Sequence, residues 1–472
     1  MAGAVGAGVK LGRGAARTPV DTTEQKPAVV HLRGSRSTPL ALRLVYSAGR
    51  VQLPPTSYAL GGGQVRLGRG VPDGVLLAHD QRASRHHASV LCVGDSRPHL
   101  VDHESKNGTF VNGERVREAE LSVGDVISVG DSCILVCEDE PPDTGAPIPA
   151  LLGSSAAIRR LRRTLRTVAA ARTTVLLLAE SGCGKEVAAR ALHELSGVSG
   201  ELIAVNCSAI PESLAESQLF GHVAGAFTGA TAQKGLFRSA HHGTLLFDEV
   251  GELQAPLQPK LLRALEEKVV LPVGATTPVV CDVRFVAATN RDLAAEVERG
   301  HFRGDLYARL METQIRIPPL RERRDDILEL FLTGLGPTPP RLGHGLAEAL
   351  LLHDWPFNVR ELLATARDLR LQSGDRAELD ADLLRERLQG RVGHKRRGRL
   401  GSDSEARAPR ARLEDSGGAF ARGGGCERDV LENLLRQHHG VVSKVAESLN
   451  RSRRQVYRWL DEYGIEPDSY RS

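Results

Sequence analysis

A glycine-rich segment of the chain has the residue types that bind phosphate. The β-branched and leucine-rich run 174–178 leads into a short loop and then a helical pattern, which is the order that a phosphate-binding loop requires. Two glycines let backbone N–H groups crowd around a β-phosphate, the helix N-terminus adds its positive dipole, and a lysine supplies a point charge. We therefore predict a nucleotide site at Gly182, Cys183, Gly184, Lys185 and Glu186.

A pair of carboxylates further along the chain supplies the complementary chemistry. The apolar run from Gly243 to Phe247 ends in Asp248 and Glu249. Asp248 can hold magnesium, and Glu249 can polarise the water that attacks a γ-phosphate. The alternative is an ordinary buried strand with acidic residues at its exit, but the phosphate loop upstream favours the catalytic interpretation. Together the two elements predict an ATPase that uses ATP and Mg²⁺.

The segment from about Leu152 to Arg370 resembles the AAA+ domain of the sigma-54 activators, also called bacterial enhancer-binding proteins. Its most specific part is the motif of the loop that contacts sigma-54 in this family, formed here by Gly225, Ala226, Phe227, Thr228, Gly229 and Ala230. Glycines at both ends permit a mobile hairpin tip, and the phenylalanine and threonine offer an apolar contact and a hydrogen bond. The resemblance implies that the partner is sigma-54 RNA polymerase.

The resemblance also assigns roles to polar residues around the nucleotide. Asn206 matches the switch asparagine, whose amide restrains Glu249 until the γ-phosphate is sensed. Thr289 and Asn290 match the sensor that hydrogen-bonds near the γ-phosphate, and Arg360 matches the second sensor, in the lid. A solvated salt bridge is the default interpretation of any single arginine. The occurrence of these residues in the family's order favours the functional one.

Two further arginines match the arginine fingers of the family, Arg303 and Arg309. A finger from a neighbouring subunit stabilises the charge that develops on the transferred phosphoryl group. The resemblance therefore implies a homo-oligomer, from a dimer to a hexameric ring, in which hydrolysis requires the ring.

Three positions depart from the family pattern. Ala179 replaces the first glycine of the phosphate loop, Cys183 replaces a small hydroxyl residue, and Phe357 replaces the glycine of the lid's Trp-Pro-Gly-Asn turn. A β-carbon at Ala179 or Phe357 is strained if the backbone there needs a positive φ. Weak nucleotide affinity or a stiff lid is the expected consequence in that case.

The predicted elements around these motifs form several domains. Residues 151–320 alternate apolar strands with amphipathic helices, which predicts a parallel α/β AAA+ domain, and residues 321–389 predict its helical lid. Residues 41–138 contain short alternating runs separated by turns, which predicts an antiparallel β-sandwich. Proline-rich residues 139–150 predict a linker between the two domains.

The predicted sandwich resembles a forkhead-associated (FHA) domain over about residues 42–137. His87 is expected to tie its loops together, and the chemistry of the loop residues is that of phosphate capture beside a peptide backbone. The candidates for phosphothreonine binding are Arg69, Ser84, Arg85, Lys106 and Asn107. A sandwich that has lost its ligand is the alternative, but the pairing of arginine and hydroxyl favours binding. The implied partner is a phosphothreonine-containing protein or a kinase, and the input is a serine/threonine kinase signal.

The C-terminal residues 426–472 show helical periodicity interrupted at residues 449–451, and they resemble the Fis-type helix-turn-helix of the same activators. Val456, Trp459 and Leu460 are expected to pack inward. Enhancer DNA is the expected partner, bound by a two-fold dimer. The candidate contacts are Arg451, Ser452, Arg453, Arg454, Gln455, Tyr457 and Arg458.

The composition limits the other possibilities. The net charge is only +4, from 62 basic and 58 acidic residues, so nucleic-acid affinity must come from a local cluster. Seven cysteines without paired spacing argue against a disulfide framework or a zinc site. We predict no membrane span and a cytoplasmic protein, with a disordered tail at 1–40 and a flexible linker at 390–425.

The sequence therefore predicts a phosphopeptide sensor, an ATPase ring and an enhancer binder that remodels the closed sigma-54 promoter complex. Two alternatives stay open. A non-hydrolysing DNA-binding scaffold is compatible with Ala179 and Phe357, and an AAA+ remodeller with another client is disfavoured by the intact motif at Gly225.

Overall fold

The computed structural model describes residues 39–61, 63–92, 96–374 and 376–384, and in the C-terminal part residues 428–438 with scattered positions up to residue 470. The chain divides into two compact units, residues 1–399 and 400–472. The tail predicted for residues 1–40 lies outside the described residues up to residue 38. The linker predicted for residues 390–425 lies wholly outside them.

The first unit begins with a β-sandwich of two sheets. One sheet has the order β2-β1-β11-β10-β7-β8 and the other β4-β3-β5-β6-β9, and the pairing of β3 with β4 is the parallel exception. Alternating side chains from both sheets fill the core between them. The strands are β1 Leu40–Ser47, β2 Arg50–Ala59, β3 Gln64–Gly68, β4 Gly74–Leu76, β5 Ala88–Leu91, β6 His99–Asp102, β7 Thr109–Val111, β8 Glu114–Val116, β9 Glu118–Glu120, β10 Val126–Val129 and β11 Ser132–Glu138.

A five-stranded parallel sheet with the order β13-β16-β19-β12-β20 forms the centre of the α/β domain. Its strands are nearly continuous apolar runs because helices cover both faces. The strands of this domain are β12 Val175–Leu178, β13 Leu202–Asn206, β14 Gly221–His222, β15 Gln233–Lys234, β16 Thr244–Asp248, β17 Val269–Val270, β18 Val279–Val280, β19 Arg284–Thr289 and β20 Thr313–Arg316. The helices are α1 Ala156–Ala170, α2 Lys185–Ser196, α3 Glu212–Phe220, α4 Leu236–Ser239, α5 Gln258–Glu267, α6 Leu293–Glu298 and α7 Gly304–Leu310.

The helical lid follows directly. It consists of α8 Ile327–Leu335, α9 His344–Leu352 and α10 Asn358–Ser373, with a short parallel pair of β21 Arg341–Leu342 and β22 Glu378–Leu379. The fully buried Trp355 lies in its core, where the indole Nε1–H donates to the Leu350 carbonyl at 2.9 Å. Buried aromatic N–H groups need such a partner, so this bond fixes the turn before α10.

Residues 139–150, predicted as a linker, lie along α1. Arg159 donates to the Glu140 carbonyl at 2.8 Å, Arg160 pairs with the Glu140 carboxylate at 3.0 Å, and Arg166 pairs with Asp143 at 2.7 Å. These contacts hold the segment against a helix of the α/β domain. The segment that connects the sandwich to the α/β domain is therefore packed against that domain and is not a free linker.

The second unit contains a helix, α11 Arg428–Gln437, and a small apolar core. Val456 and Leu460 are buried there, as the sequence predicts, and Trp459 lies outside the described residues. The core is completed by Leu431, Leu435, Val442, Val445 and Ile465. Within the part of the chain that the structure describes, no helix is both long and apolar enough to cross a membrane.

Candidate functional site

The phosphate loop lies between β12 and α2, as predicted. Gly182 and Gly184 both have positive φ, 78° and 105°, and Gly184 is the residue that precedes α2. A β-carbon on Gly182 would overlap the Phe357 carbonyl oxygen of the lid and would lie 3.0 Å from the Arg360 Cβ. Gly182 is therefore required for two reasons, its left-handed backbone and the close approach of the lid.

Lys185 and the two carboxylates meet at the carboxyl edge of the sheet. The Lys185 ammonium donates to Glu249 Oε1 at 2.6 Å and lies 3.7 Å from Asp248 Oδ1, and its side chain is only 8% exposed. Glu249 itself has a left-handed backbone, with φ 53°. Such a conformation is uncommon for a non-glycine residue and aims the side chain that follows the strand. The three groups predicted to act on phosphate, metal and water are thus side by side.

The switch and sensor candidates lie on the neighbouring strands. Asn206 is in register with Asp248, and Thr289 with Leu178. The Asn206 amide oxygen accepts from the Ser208 N–H at 2.9 Å, and no hydrogen bond joins Asn206 to Glu249 among the described residues. The Thr289 hydroxyl accepts from the Arg291 N–H at 3.1 Å. Asn290 follows it as an exposed residue.

The lid lies against the phosphate loop through polar contacts. Arg360 donates to the Ser181 hydroxyl at 3.2 Å, and Asn358 donates to the Ser181 carbonyl at 3.1 Å. Arg321 donates two hydrogen bonds to the Glu180 carboxylate, at 2.8 and 2.6 Å. These bonds lower the pKa of Glu180 to about 2. Arg360, the predicted second sensor, therefore lies at the phosphate loop.

Four residues tie the lid to the phosphate loop without a distinctive sequence signal. Three of them, Glu180, Arg321 and Asn358, make the contacts just described. Arg323 donates to the Cys183 carbonyl at 3.0 Å and is 4% exposed. A charged residue beside the lid boundary is the only local signal, and it does not distinguish a buried tie from a solvated one.

The strain considered at Ala179 and Phe357 does not occur. Phe357 has φ −108°, and Ala179 is not among the residues with positive φ. In the Trp-Pro-Phe-Asn turn the left-handed residues are instead Trp355 and Asn358, with φ 49° and 51°. The substitution for glycine therefore falls at a position that any residue can adopt. Cys183 is buried, and burial raises the pKa of its thiol to about 11, so it stays neutral.

The two finger candidates lie at the ends of α7. Arg303 binds Asp305 through two hydrogen bonds of 3.1 and 2.8 Å, and Arg309 pairs with Glu312. Both carboxylates belong to the same chain, and half of the Arg303 side chain is exposed. Neither arginine contacts the phosphate loop of its own chain in the described hydrogen bonds and ion pairs.

The segment Gly225–Ala230 forms a turn at the end of the β14/β15 hairpin. The Gly225 N–H donates to the Ala230 carbonyl at 3.1 Å, and the Ala230 N–H donates to the Phe227 carbonyl at 2.9 Å. Gly225 and Gly229 have φ 77° and 80°, and a β-carbon on either would meet no atom within 4 Å. The Phe227 ring is 51% exposed. Ala226 and Thr228 complete the turn, whose half-exposed aromatic ring has its centroid 5.0 Å from that of the His222 ring.

The second hairpin, β17/β18, supports this turn. The Val223 N–H donates to the Val273 carbonyl at 3.1 Å, and the Val273 N–H donates to the Gly221 carbonyl at 2.8 Å. Gly274 approaches Ala226 so closely that a β-carbon would lie 2.9 Å from the Ala226 Cβ. The sequence gives no signal for the β17/β18 hairpin, because two short valine pairs carry no distinctive motif.

The predicted phosphopeptide residues come together on adjoining loops of the sandwich. The Arg69 N–H donates to the Ser84 carbonyl at 3.1 Å, and the Ser84 hydroxyl accepts from the Lys106 N–H at 3.2 Å. Asn107 donates to the Arg82 carbonyl at 2.6 Å. Arg69, Lys106 and also Arg85 are exposed, and Ser84 between them along these loops is half-buried.

His87 ties these loops together. Its ring is fully buried, accepts from the Ser84 N–H at 2.9 Å through Nδ1, and lies 3.2 Å from the Gly108 carbonyl through Nε2. Burial lowers the pKa of His87, which keeps the ring neutral. All seven predicted DNA contacts, Arg451, Ser452, Arg453, Arg454, Gln455, Tyr457 and Arg458, lie outside the described residues.

Three family models match the chain in the predicted order. The FHA domain matches residues 65–130, the sigma-54 interaction domain matches residues 151–316, and the bacterial regulatory protein, Fis family, matches residues 426–463. The three matches do not overlap, and they fall in the sandwich, the α/β domain and the C-terminal part of the chain.

Curated relatives match large parts of the chain. The C4-dicarboxylate transport transcriptional regulatory protein DctD of Pseudomonas aeruginosa is 41% identical over 67% of this chain and 64% of its own. The Nif-specific regulatory protein of Azotobacter vinelandii is 49% identical over 45% of this chain and 42% of its own. The solved structure of NtrX from Brucella abortus covers 68% of this chain and 70% of its own, with 27% identity and a TM-score of 0.47.

The chain spans about half of the length of the curated relatives it matches. The sigma-54 interaction match lies in the α/β domain, which together with its lid is termed the motor here, and the FHA match lies in front of it. On the order of its three domains, the chain belongs to the sigma-54 activators, with an N-terminal FHA domain, a central sigma-54 interaction AAA+ domain and a C-terminal Fis-type helix-turn-helix.

Proposed function

We propose that the protein hydrolyses ATP as a ring, remodels the sigma-54 RNA polymerase closed complex from enhancer DNA, and receives its input through phosphothreonine recognition. One observation carries the proposal most directly. Lys185, Asp248 and Glu249 meet at a phosphate loop that the lid's Arg360 also reaches. This combination of groups serves phosphoryl transfer rather than binding alone.

The donor set fits ATP with Mg²⁺. The described residues contain no cluster of three His, Cys, Asp or Glu side chains that could hold a metal by themselves, so Asp248 would hold Mg²⁺ together with the phosphates. A bound Mg²⁺ would neutralise charge on the phosphate oxygens. Lys185 exchanges Glu249 for phosphate oxygens when the nucleotide binds, and this exchange frees the Glu249 carboxylate to orient water. Thr289, Asn290 and Asn206 then sense the γ-phosphate from the adjoining strands.

Assembly completes the catalytic site. Arg303 and Arg309 are held by carboxylates of their own chain and point to no group of its phosphate loop, which is what a residue that serves the next subunit requires. The exposed turn at Phe227 and Thr228 is the proposed contact with sigma-54. The proposed contacts with DNA are the same seven residues as above, 451–455, Tyr457 and Arg458, and the cytoplasm is the proposed compartment.

Glu249→Gln tests the catalytic assignment. The variant should bind ATP as tightly as the wild type, because an amide still fits beside Lys185, but turnover should fall by a factor of about 10² to 10⁴ because the water-orienting carboxylate is lost. Steady-state ATPase assays over a range of protein concentrations measure both this loss and the dependence on assembly. Unchanged turnover in Glu249→Gln would exclude the role, and absence of turnover in the wild type at every concentration would favour the non-hydrolysing scaffold.

A further inference from the structure

The FHA sandwich and the ATPase lid share one apolar core. Helix α9 packs against β1, β10 and β11 of the sandwich, on the face of that sheet turned away from the sandwich's own core. Tyr46, Val45 and Cys133 of the sandwich are at most 2% exposed, and they share one buried cluster with Leu346 and Leu350 of α9. Apolar side chains buried this completely on both sides are typical of an interior rather than of a passing contact.

Polar contacts fix the register of this surface, which we term the docking interface and which comprises the β1, β10 and β11 face together with α8, α9 and the turn before them. The Tyr46 hydroxyl donates to the Leu342 carbonyl at 2.6 Å, and Ser128 donates to Glu348 at 2.5 Å. Arg324 donates to the Gly124 carbonyl at 2.9 Å. Each bond joins the sandwich to the lid, so the two domains meet in one defined orientation.

A buried ion pair lies at the edge of the docking interface. Arg43 of β1 donates to Asp325 at 2.6 Å, and the two side chains are 5% and 6% exposed. Among the described residues Arg43 is the one hydrogen-bond partner of the Asp325 carboxylate. Removing one partner of a buried pair leaves the other charge uncompensated, which is strongly unfavourable. The lid therefore depends on the sandwich to neutralise a carboxylate of its own.

The same lid segment reaches the phosphate loop. Asp326, fully buried beside Asp325, accepts from the Ser155 N–H and hydroxyl at 2.8 and 2.6 Å and so holds the N-cap residue of α1. Arg323, two residues before Asp325, donates to the Cys183 carbonyl inside the phosphate loop at 3.0 Å. The carboxylate that Arg43 of the sandwich pairs with therefore lies between two residues of the lid segment that contact α1 and the phosphate loop.

A second chain of contacts joins the docking interface to the loop that faces the phosphopeptide. Asp80, 1% exposed, accepts from the Arg82 N–H at 2.9 Å and from the Ser132 hydroxyl at 2.7 Å. The Ser132 hydroxyl also lies 2.8 Å from that of Ser47, the residue after Tyr46. The loop that carries the phosphate ligands is therefore fixed to the strand end that packs on the lid.

We propose that the docked FHA sandwich is an intramolecular regulatory surface of the motor: its Arg43 stabilises the lid segment that positions the phosphate loop, so that phosphopeptide binding and nucleotide binding influence each other. The exposed phosphopeptide loops leave room for a ligand while the sandwich stays docked. The coupling to phosphopeptide rests on the proposed function of the FHA loops, whereas the coupling of Arg43 to nucleotide does not.

The nucleotide affinity of the intact chain tests whether Arg43 supports nucleotide binding. Arg43→Met keeps an apolar stem and removes the charge, and we expect the dissociation constant for a fluorescent ADP to rise by about tenfold, since coupling through a packed network is typically of that size. Tyr46→Phe keeps the ring, removes one hydroxyl, and should raise the constant by about threefold. The matched control is Arg97→Met, an exposed arginine whose ion-pair partner among the described residues is the exposed Glu120, and it should leave the constant unchanged.

Binding of a phosphothreonine peptide pool tests whether phosphopeptide binding and nucleotide binding influence each other. In the wild type a saturating peptide should change the ADP dissociation constant by some factor, and saturating ADP should change the peptide constant by the same factor, because coupling is reciprocal. In Arg43→Met that factor should fall towards one. If Arg43→Met still binds the peptide with wild-type affinity, its sandwich is folded. If that affinity is lost, the same coupling measurement is made on Tyr46→Phe instead.

The failures are distinguishable. Nucleotide affinities of folded Arg43→Met and Tyr46→Phe that both equal that of Arg97→Met would overturn the regulatory role of the docking interface, as would independent binding of peptide and ADP to the wild type. If the wild type binds no phosphothreonine peptide, the phosphothreonine input fails instead, and the Arg43 comparison alone decides the role of the interface.

Discussion

Two glycine-containing loops of the motor use the same backbone conformation for opposite purposes. Gly182 in the phosphate loop and Gly229 in the hairpin turn have φ of 78° and 80°. At Gly182 the lid carbonyl of Phe357 occupies the space of a β-carbon, whereas at Gly229 no atom lies within 4 Å. The phosphate loop is therefore fixed by its neighbours before a ligand arrives, whereas the hairpin turn has open space beside Gly229 into which a partner can fit. Catalysis needs the first property, and force transmission to another protein needs the second.

The largest expected effect comes from adding the same methyl group to both loops. Gly182→Ala should weaken nucleotide binding by roughly a hundredfold or more, because the left-handed backbone is strained and the lid must move away. Gly229→Ala carries similar local strain in open space and should leave nucleotide binding unchanged. Titration of both variants with a fluorescent nucleotide measures the contrast. Equal losses at the two positions would contradict it.

A smaller effect is expected from the tie between lid and phosphate loop. Arg321→Ala removes the two hydrogen bonds to Glu180, and since both side chains are more than a third exposed, nucleotide affinity should fall only about twofold to fivefold. The matched control is Arg316→Ala, which removes an equally two-pronged bond to Glu322 that does not involve the loop. A loss in the control as large as in Arg321→Ala would show that the effect is general destabilisation of the lid.

The smallest effect is expected at Phe357. Because its φ is −108° and its ring is 55% exposed, Phe357→Gly relieves no strain, and both nucleotide affinity and turnover should stay within about twofold of the wild type. The matched comparison is Phe227→Ala, at the other phenylalanine that is exposed in the described part of the chain, which should spare turnover and abolish activation. A rise in turnover of Phe357→Gly well beyond twofold would restore the idea of a stiff lid.

The order of the domains and the groups around the phosphate loop could be predicted because each depends on a short local pattern. Gly182, Lys185, Asp248 and Glu249 lie at the ends of apolar strands, and parallel strands bring those ends to one edge. The expectation of backbone strain at Phe357 was wrong, because a turn can shift its left-handed residues by one or two positions without a change of motif. Only the backbone shows that Trp355 and Asn358 adopt them.

The docking of the sandwich on the lid could not be predicted in the same way. Arg43 and Asp325 are 282 residues apart, and Tyr46 and Leu342 are 296 apart. On the sequence, Tyr46 and Val45 are ordinary strand residues, and Asp325 is one of several charges after the Leu320 turn. Their burial depends on a face of the sandwich meeting a face of the lid, and neither face carries a periodicity that names the other.

The most direct test of the central claim, that this motor acts on sigma-54 through its hairpin turn, is a paired measurement on Thr228→Ala. The substitution removes one hydroxyl from the turn and touches no phosphate contact, so ATP turnover should match that of the wild type. If the turn engages sigma-54, the loss of that hydroxyl removes about 1 kcal/mol for each engaged loop, and sigma-54-dependent open-complex formation on the same preparation should fail. A Thr228→Ala protein that turns over ATP and still activates sigma-54-dependent transcription normally would contradict the claim.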